Sequence, residues 1–445
     1  MAAAGAAAGA EVLSDNSLLT HIATGRLIVG GHGFPHVDPY TFTAEGLPWV
    51  VQSWLPAALY GGVERVAGLE GVRLLFAATA AVVAALGWLL TRPAGTLLGR
   101  LAAVVPLLAV GFEGWGQRPL LLGLVCLAVA LVAAADELDP RWLLIVGWIW
   151  LNSHGSWPLG VVALVGFAAG RRADGDAPTV ELRALAWLGG GLVLGSLNPY
   201  GPRLLTFPVE LLGRREALRG ILEWQPPNFD DVGQWAFLVL VALAVVGVRR
   251  RPSWRATLPV VLFATMALVS ARNIPVASVV LLPGLAHGLA DLGSVSGKTR
   301  SRAATAVTAV AVALAAVVGI SALTEPPLDL RAYPTEAIAF LRANDLDPST
   351  ATIVTHDYVG NLLELADGAE ANVFIDDRVE LLPLSVILDY RLLLGGGPGW
   401  EEALERYQPD AVLWDRGEPL AQLLALSTAW VEVYEDDGFV VFTPA

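Results

Sequence analysis

The sequence predicts an α-helical polytopic membrane domain followed by a small soluble α/β domain. Three observations carry this expectation. Hydrophobic residues make up 55% of the chain against 16% charged, with a mean hydropathy of +0.58, whereas an ordinary soluble domain carries about 25% charged residues. Apolar runs near helix length recur between residues 74 and 323. From Tyr333 onward the pattern changes to short β-branched or aromatic stretches separated by amphipathic ones.

Charge divides the chain at the same place. Residues from Glu325 to the end carry 23 acidic and 6 basic side chains, a net of −17, whereas residues 1–324 carry a net of +3. An acidic balance of this size excludes nucleic acid as a partner, because a phosphate backbone demands clustered Lys and Arg. The single cysteine, Cys126, sits within an apolar run. It rules out a disulfide framework and a cysteine-based metal site. The expected division is an outer-face loop region with amphipathic helices at 1–70, a transmembrane helical domain at 71–323, and an extracytoplasmic acidic α/β domain at 324–445.

Met1–Ala10 is alanine and glycine, with no basic n-region and too little hydrophobicity to span. The polar, aromatic segment Asp15–Tyr60 follows. Ten apolar runs come next, near 74–90, 101–112, 119–135, 142–151, 157–170, 184–197, 235–248, 256–271, 274–290 and 303–323. A spanning helix needs ~20 residues. The runs 101–112 and 142–151 are short at a rise of ~1.5 Å per residue. They are expected as tilted helices, helices extended into polar flanks, or re-entrant half-helices. About ten apolar helices or half-helices result.

Basic loops orient them. Arg92 and Arg100, Arg171 and Arg172, Arg249 to Arg251 with Arg255, and Lys298, Arg300 and Arg302 all fall on one face if the ten runs cross. The positive-inside rule assigns that face to the cytoplasm. Arg214, Arg215 and Arg219 fall on the other side and are expected in an amphipathic interfacial helix. Asp15–Tyr60 and the acidic tail then face outward. For an N-terminus on that side, one further helix upstream of residue 1 is expected.

In the tail, strands are expected at Ala351–Thr355, Ala371–Ile375 and Ala411–Trp414, with helices near Pro334–Ala343, Val359–Ala366 and Glu401–Tyr407. Trp430–Tyr434 and Phe439–Thr443 flank Glu435-Asp436-Asp437-Gly438 as a hairpin, giving a sheet of four or five strands.

The outward polar residues are the candidates for chemistry. Asp15 stands at the membrane boundary, where an apolar setting raises a carboxylate toward general-base range; Ser14, Asp15 and Asn16 equally read as a helix N-cap. His32, His36 and Asp38 have a spacing that suits a divalent ion, or they form a polar turn around Gly33 and Pro35. Glu113 and Arg118 bracket a tip containing Trp115. Arg118 suits a phosphate, or the two form a headgroup-level ion pair. Asn152, Ser153 and His154 form a cavity-facing tip or cap the adjoining half-helices. Arg272 pairs with a lipid-linked phosphate or snorkels as an anchor. Glu223-Trp224 and Asn198-Pro199-Tyr200 share the same outer loop. In the tail, His356-Asp357-Tyr358 and Asp376-Asp377-Arg378 follow expected strands, where a binding crevice or a solvated acidic loop is expected.

These elements also occur in a familiar order. An acid near His21-Ile22-Ala23-Thr24-Gly25 precedes Pro35-His36-Val37-Asp38-Pro39-Tyr40-Thr41-Phe42-Thr43, Pro48-Trp49-Val50 and Ser53-Trp54-Leu55. Arg118-Pro119, Asn152-Ser153-His154-Gly155, Leu197-Asn198-Pro199-Tyr200-Gly201, Glu223-Trp224, Arg272-Asn273-Ile274-Pro275 and Phe374-Ile375-Asp376-Asp377-Arg378 follow. The pattern resembles a group of bacterial polytopic membrane proteins similar to the GT-C class of integral membrane glycosyltransferases.

The resemblance implies a GT-C-like fold in the cytoplasmic membrane and transfer of a sugar from a polyprenyl-phosphate carrier to a cell-envelope acceptor on the outer face. Asp15 takes the place of the class's essential first-loop acid and is the implied catalytic base. Arg118 and Arg272 are implied to hold the leaving phosphate. Glu113, His154, His36, Asp38 and Glu223 are the further implied substrate-binding residues. No cofactor is expected, a divalent cation being the alternative. The alternative function is a non-catalytic envelope protein whose acidic C-terminal domain binds carbohydrate or a protein partner.

Overall fold

The computed structural model describes residues 1–290, 292, 309, 313, 316, 317, 320 and 324–445. It is mostly helical (64%), with a small sheet toward the C-terminus. The described chain forms two compact units. A helical unit comprises Met1–Leu13, Ala67–Val209 and Ile221–Pro327; a mixed unit comprises Ser14–Val66, Glu210–Gly220 and Leu328–Ala445. Residues 14–66 thus pack with the C-terminal segment.

Among the described residues, three helices are long and apolar enough to cross a membrane: the stretch Trp54–Ala94, Leu97–Gly114 and Val232–Arg250. The first is broken at Gly68, whose φ of 67° and ψ of −170° are open to glycine. The chain enters the helical unit there. The expected count of about ten apolar helices or half-helices is not confirmed by these three. Leu120–Ala134 and Trp254–Val269 are apolar but have 15 and 16 residues, and Leu143–Ser153 has 11, below the ~20 that a bilayer core asks for. For the run 101–112 the extended alternative holds. It extends into its flanks as the 18-residue Leu97–Gly114, started by Thr96, whose Oγ accepts the Gly99 N–H. The run 303–323 lies largely, and Lys298, Arg300 and Arg302 wholly, outside the described residues.

Small residues let these helices approach closely. Leu143–Ser153 crosses Thr179–Gly195 (17 residues) at Gly147 and Gly191. A Cβ at Gly191 would sit 2.5 Å from the Leu144 carbonyl oxygen, and one at Gly147 would sit 2.8 Å from that of Leu188. The buried Arg73 ties in the chain ends of this unit. Its guanidinium donates to the carbonyls of Ala10 (2.7 Å), Glu11 (3.1 Å) and Glu325 (3.2 Å).

The mixed unit is built on a four-stranded sheet of order β1-β2-β4-β3, with β1 Ile353–Val354, β2 Ala411–Asp415, β3 Trp430–Glu435 and β4 Phe439–Pro444. β1 and β2 are parallel, pairing Ile353 with Ala411; β2/β4 and β3/β4 are antiparallel. The β3–β4 turn is closed by Asp436, whose Oδ1 accepts the N–H groups of Gly438 and Phe439. The central β2 buries Ala411 to Trp414.

Ala371–Ile375 is not a strand. It makes one isolated bridge, Val373 to Thr41, and its partner is the irregular segment around Tyr40. Val373, Phe374 and Ile375 are buried on all sides, and burial alone gives the apolar run that reads as an inner strand. Helices Thr335–Ala343, Asp357–Asp367 and Trp400–Glu405 stand near their expected places, and Leu384–Gly395 and Pro419–Leu426 are additional.

The segment expected as an interfacial helix belongs to the mixed unit. Arg214 donates to the carbonyl oxygens of Glu380 (2.7 Å) and Leu382, and Arg391 donates to those of Glu216 (3.0 Å) and Ala217. Basic residues that break the loop-charge pattern thus satisfy backbone carbonyls.

The Gly191 contact is testable. Gly191→Ala drives a methyl into the Leu144 carbonyl and lowers stability by about 1–3 kcal/mol. Gly189→Ala, where a Cβ meets nothing within 4 Å, is neutral or stabilising by up to about 1 kcal/mol. Thermal unfolding in detergent measures both. Equal melting shifts for the two variants refute the close contact.

Candidate functional site

Two polar clusters hold most of the residues singled out by sequence, one in each unit. In the helical unit Arg118, Glu223 and Arg272 come together. Arg118 lies in the turn between Leu97–Gly114 and Leu120–Ala134. Glu223 and Arg272 lie in single 3-10 turns, Leu222–Trp224 and Ala271–Asn273. The two turns are stitched by Ala271 N–H to Gln225 O (2.9 Å) and Ser270 Oγ to Glu223 O (3.2 Å).

Both guanidiniums use the Glu223 carboxylate. Arg118 bonds Oε1, and Arg272 Nη1 lies 3.4 Å from Oε2. The Arg272 guanidinium carbon stands 5.0 Å from the Trp224 ring centre, within cation–π range. All three side chains are between 35% and 41% exposed. The trio carries a net +1 at a water-accessible place, which suits a phosphate that competes with Glu223 for the two guanidiniums.

Two other candidates in this unit act locally. Glu113 Oε2 accepts the Gly233 N–H at 2.6 Å, at the start of Val232–Arg250, beside Asp231 capping Gln234 N. A carboxylate there is favoured by the helix dipole. His154 Nδ1 accepts the Ser156 N–H at 3.1 Å, and the buried Asn152 donates to the carbonyls of Trp148 and Gly195.

The mixed unit holds Asp15, His36 and Asp38. Asp15 is the N-cap of Asn16–Val29, its Oδ1 accepting the Ser17 N–H at 3.0 Å. His36 is half-buried, and its carbonyl accepts the Trp49 N–H. Asp38 is buried. It accepts from the N–H groups of Tyr40 (3.3 Å) and Thr41 (3.1 Å) and lies 2.8 Å from Arg378 Nη2.

Arg378 is the centre of this cluster. Only 5% of its side chain is exposed, and Asp38, Asp376 and Glu364 around it are fully buried. Asp376 accepts Nε at 2.9 Å, and Glu364 Oε1 lies 3.5 Å from Nη2. The guanidinium carbon lies 4.4 Å from the Trp49 ring centre and 5.1 Å from that of Tyr40.

One cation cannot neutralise three carboxylates. Burial first, then the charge of Asp376, pushes the Glu364 carboxyl well above its ordinary range. Asp376 is burdened by the same burial, but the adjacent Arg378 guanidinium holds it below the ordinary carboxylate range. Thr20 also hydroxyl-bonds Glu364, and Asn361 bonds Thr20. Asp377 is pushed up to about 6 by burial and the adjacent Asp376, and it takes hydrogen bonds from Asn361 (2.9 Å) and Ser17.

Ser17, Thr20, Asn361 and Glu364 escaped the sequence reading. The available signal was an acid inside Leu362-Leu363-Glu364-Leu365, on the face that the helix buries.

A third group lies at the carboxyl ends of the parallel strands β1 and β2. His356 is buried between Tyr358 (ring centres 5.4 Å apart, stacked) and Trp414 (4.0 Å). Asp415 N–H donates to Nε2 at 3.4 Å; Nδ1 lies 3.5 Å from the Tyr390 hydroxyl, which donates to Asp357 Oδ1 at 3.0 Å. Burial pushes the imidazole down to about 4, against the opposing charge of Asp415. Among the described residues, no three His, Cys, Asp or Glu side chains gather as a metal-ligand group.

No known family model and no curated protein matches the chain.

Arg378→Met leaves Asp38 and Asp376 buried without their cation and destabilises the mixed unit by about 3–5 kcal/mol. Hydrogen exchange across helix Asp357–Asp367 reads this out, and unchanged protection refutes the role. For His356, the unfolded chain binds a proton below about pH 6.5, which the folded site refuses down to about 4. Stability therefore falls as pH drops from 6.5 to 4. Protection of β1 and β2 follows that slope in the native chain, and His356→Gln flattens it.

Proposed function

We propose that this chain is a multi-pass, glycosyltransferase-like protein of the bacterial cytoplasmic membrane. It takes a sugar from a polyprenyl-phosphate carrier and transfers it to a cell-envelope acceptor on the outer face. The observation that carries the reading is the pairing of Arg118 and Arg272 on the single carboxylate of Glu223.

Orientation draws support from the ends of the helices. Arg92 pairs with Glu137, while Arg171 and Arg255 share Glu181. Leu97–Gly114 separates Arg92 from Arg118 by ~27 Å of helix at ~1.5 Å per residue. Arg92 thus stands one helix length from Arg118, in keeping with a cytoplasmic end that holds the basic residues and an outer end that holds the Arg118–Arg272 pair.

In the transfer, an acceptor hydroxyl oxygen attacks the anomeric carbon and the bond from that carbon to the phosphate oxygen breaks. The electron pair stays on the phosphate, where Arg118 and Arg272 stabilise it. The hydroxyl proton passes to a general base, the role that the sequence resemblance gives to Asp15.

A second reading is a non-catalytic envelope protein whose acidic C-terminal segment binds carbohydrate or a protein partner. It is favoured by two specific observations: Asp15 is engaged as a helix cap, and Asp38 is buried against Arg378.

Asp15→Asn separates the two, because Asn caps a helix about as well as Asp. Reconstituted protein is supplied with labelled polyprenyl-phosphate sugars and envelope acceptor. Asp15→Asn is expected to lower transfer by about 10²–10⁴-fold with melting unchanged. Arg118→Gln combined with Arg272→Gln lowers it as well. Wild-type transfer that survives Asp15→Asn, or no transfer from any donor tested, overturns the enzymatic reading.

A further inference from the structure

The helical unit contains a cavity of about 380 Å³ that the proposed transfer does not use. Its polar wall includes Arg92, Arg255, His287 and Glu137, and its apolar wall includes Phe167 and Pro283. It lies at the end of the unit opposite Arg118 and Arg272. Helix Leu97–Gly114 separates Arg92 from Arg118, and the 16-residue Trp254–Val269 separates Arg255 from Arg272 by ~24 Å.

The charge balance of this cavity is positive. Arg92 is matched by Glu137. Glu181 serves two guanidiniums through one oxygen: Oε1 accepts Arg171 Nε and Arg255 Nε, each at 2.8 Å. Its other oxygen, fully buried, has no hydrogen-bond partner among the described residues. With Asp174 at the Arg255 N–H and Arg251 facing His287 counted as well, four guanidiniums stand against three carboxylates, a net +1. Arg255 is held rigidly for a ligand. Its Nη2 donates to the Ala134 carbonyl at 3.1 Å, its guanidinium carbon lies 5.5 Å from the Phe167 ring centre, and its backbone N–H is fixed by Asp174 at 3.0 Å. A fixed guanidinium beside an aromatic and apolar wall suits a molecule with an anionic phosphate at one end and hydrocarbon at the other. A basic pocket between helices at the cytoplasmic end is the setting in which anionic headgroups bind.

We propose that this cavity binds the phosphodiester headgroup of an anionic phospholipid, with Arg255 and Arg92 on the phosphate and the acyl chains leaving along Phe167 and Pro283. The inference rests on the membrane reading of the helical unit and is independent of sugar transfer.

Native mass spectrometry of the full chain, released from detergent, tests it. Phosphatidylglycerol, phosphatidylcholine and inorganic phosphate are titrated in parallel arms. One phosphatidylglycerol per chain is expected to be retained in preference to phosphatidylcholine. Arg92→Gln and Arg255→Gln are each expected to weaken retention about five- to tenfold. Arg92→Gln alters only a surface ion pair, so it decides the matter if Arg255→Gln fails to fold. Equal retention of both lipids, or unchanged phosphatidylglycerol retention in Arg92→Gln, overturns the proposal. Binding of inorganic phosphate as tight as that of phosphatidylglycerol reassigns the pocket to a free phosphate and overturns the lipid. Transfer activity is read separately, so failure of one proposal leaves the other standing.

Discussion

Arg378 lies buried among Asp38, Asp376 and Glu364, and the mixed unit depends on how that charge is balanced. Asp38 comes from the first fifty residues of the chain, and the other three come from the last hundred. Burying four ionisable groups is costly unless each is paired and hydrogen-bonded. In this cluster burial and the charge of Asp376 push the Glu364 carboxyl well above its ordinary range, while Arg378 is paired with Asp38 and Asp376. Asn16–Val29 is fastened to the same place through Thr20 and Ser17. The segment Ser14–Val66 is therefore an integral layer of the C-terminal fold, although some 260 residues of chain intervene.

The helical unit repeats one device under two conditions. Two guanidiniums share a carboxylate at Glu181 and again at Glu223. Glu181 is fully buried, and breaking its pairs would strand a charge, so it serves as a staple. Glu223 is 41% exposed. Water screens its pairs, and a surface ion pair is worth about 0–1 kcal/mol. A stronger anion can displace it there. Burial, more than residue type, separates the structural copy from the one suited to ligand exchange.

Much of this was legible in the sequence. The hairpin around Asp436 and the helix start at Asp15 follow from turn and capping chemistry that acts within a few residues. Arg118, Glu223 and Arg272 were each visible as polar tips between apolar runs, and the pairing of both guanidiniums with Glu223 was not. The strand expected at Ala371–Ile375 was not legible. Val373, Phe374 and Ile375 are apolar because they are buried, and burial does not say what they hydrogen-bond. Helix lengths were left open between alternatives, because an apolar run marks the greasy part of a helix and not its caps, as Thr96 shows.

The sequence by itself determined the separation into an apolar helical part and an acidic α/β part, and the local starts and turns of many elements. These depend on hydrophobic content and short-range backbone chemistry, which composition and spacing record. Only the tertiary structure decided that Asp38 pairs with Arg378, that Arg214 serves the carbonyls of Glu380 and Leu382, and that Arg171 and Arg255 meet on Glu181. Each of these joins residues far apart in the chain. Which carboxylate meets which guanidinium is fixed by how the helices and the sheet pack, and a one-dimensional pattern of charges carries no record of that packing.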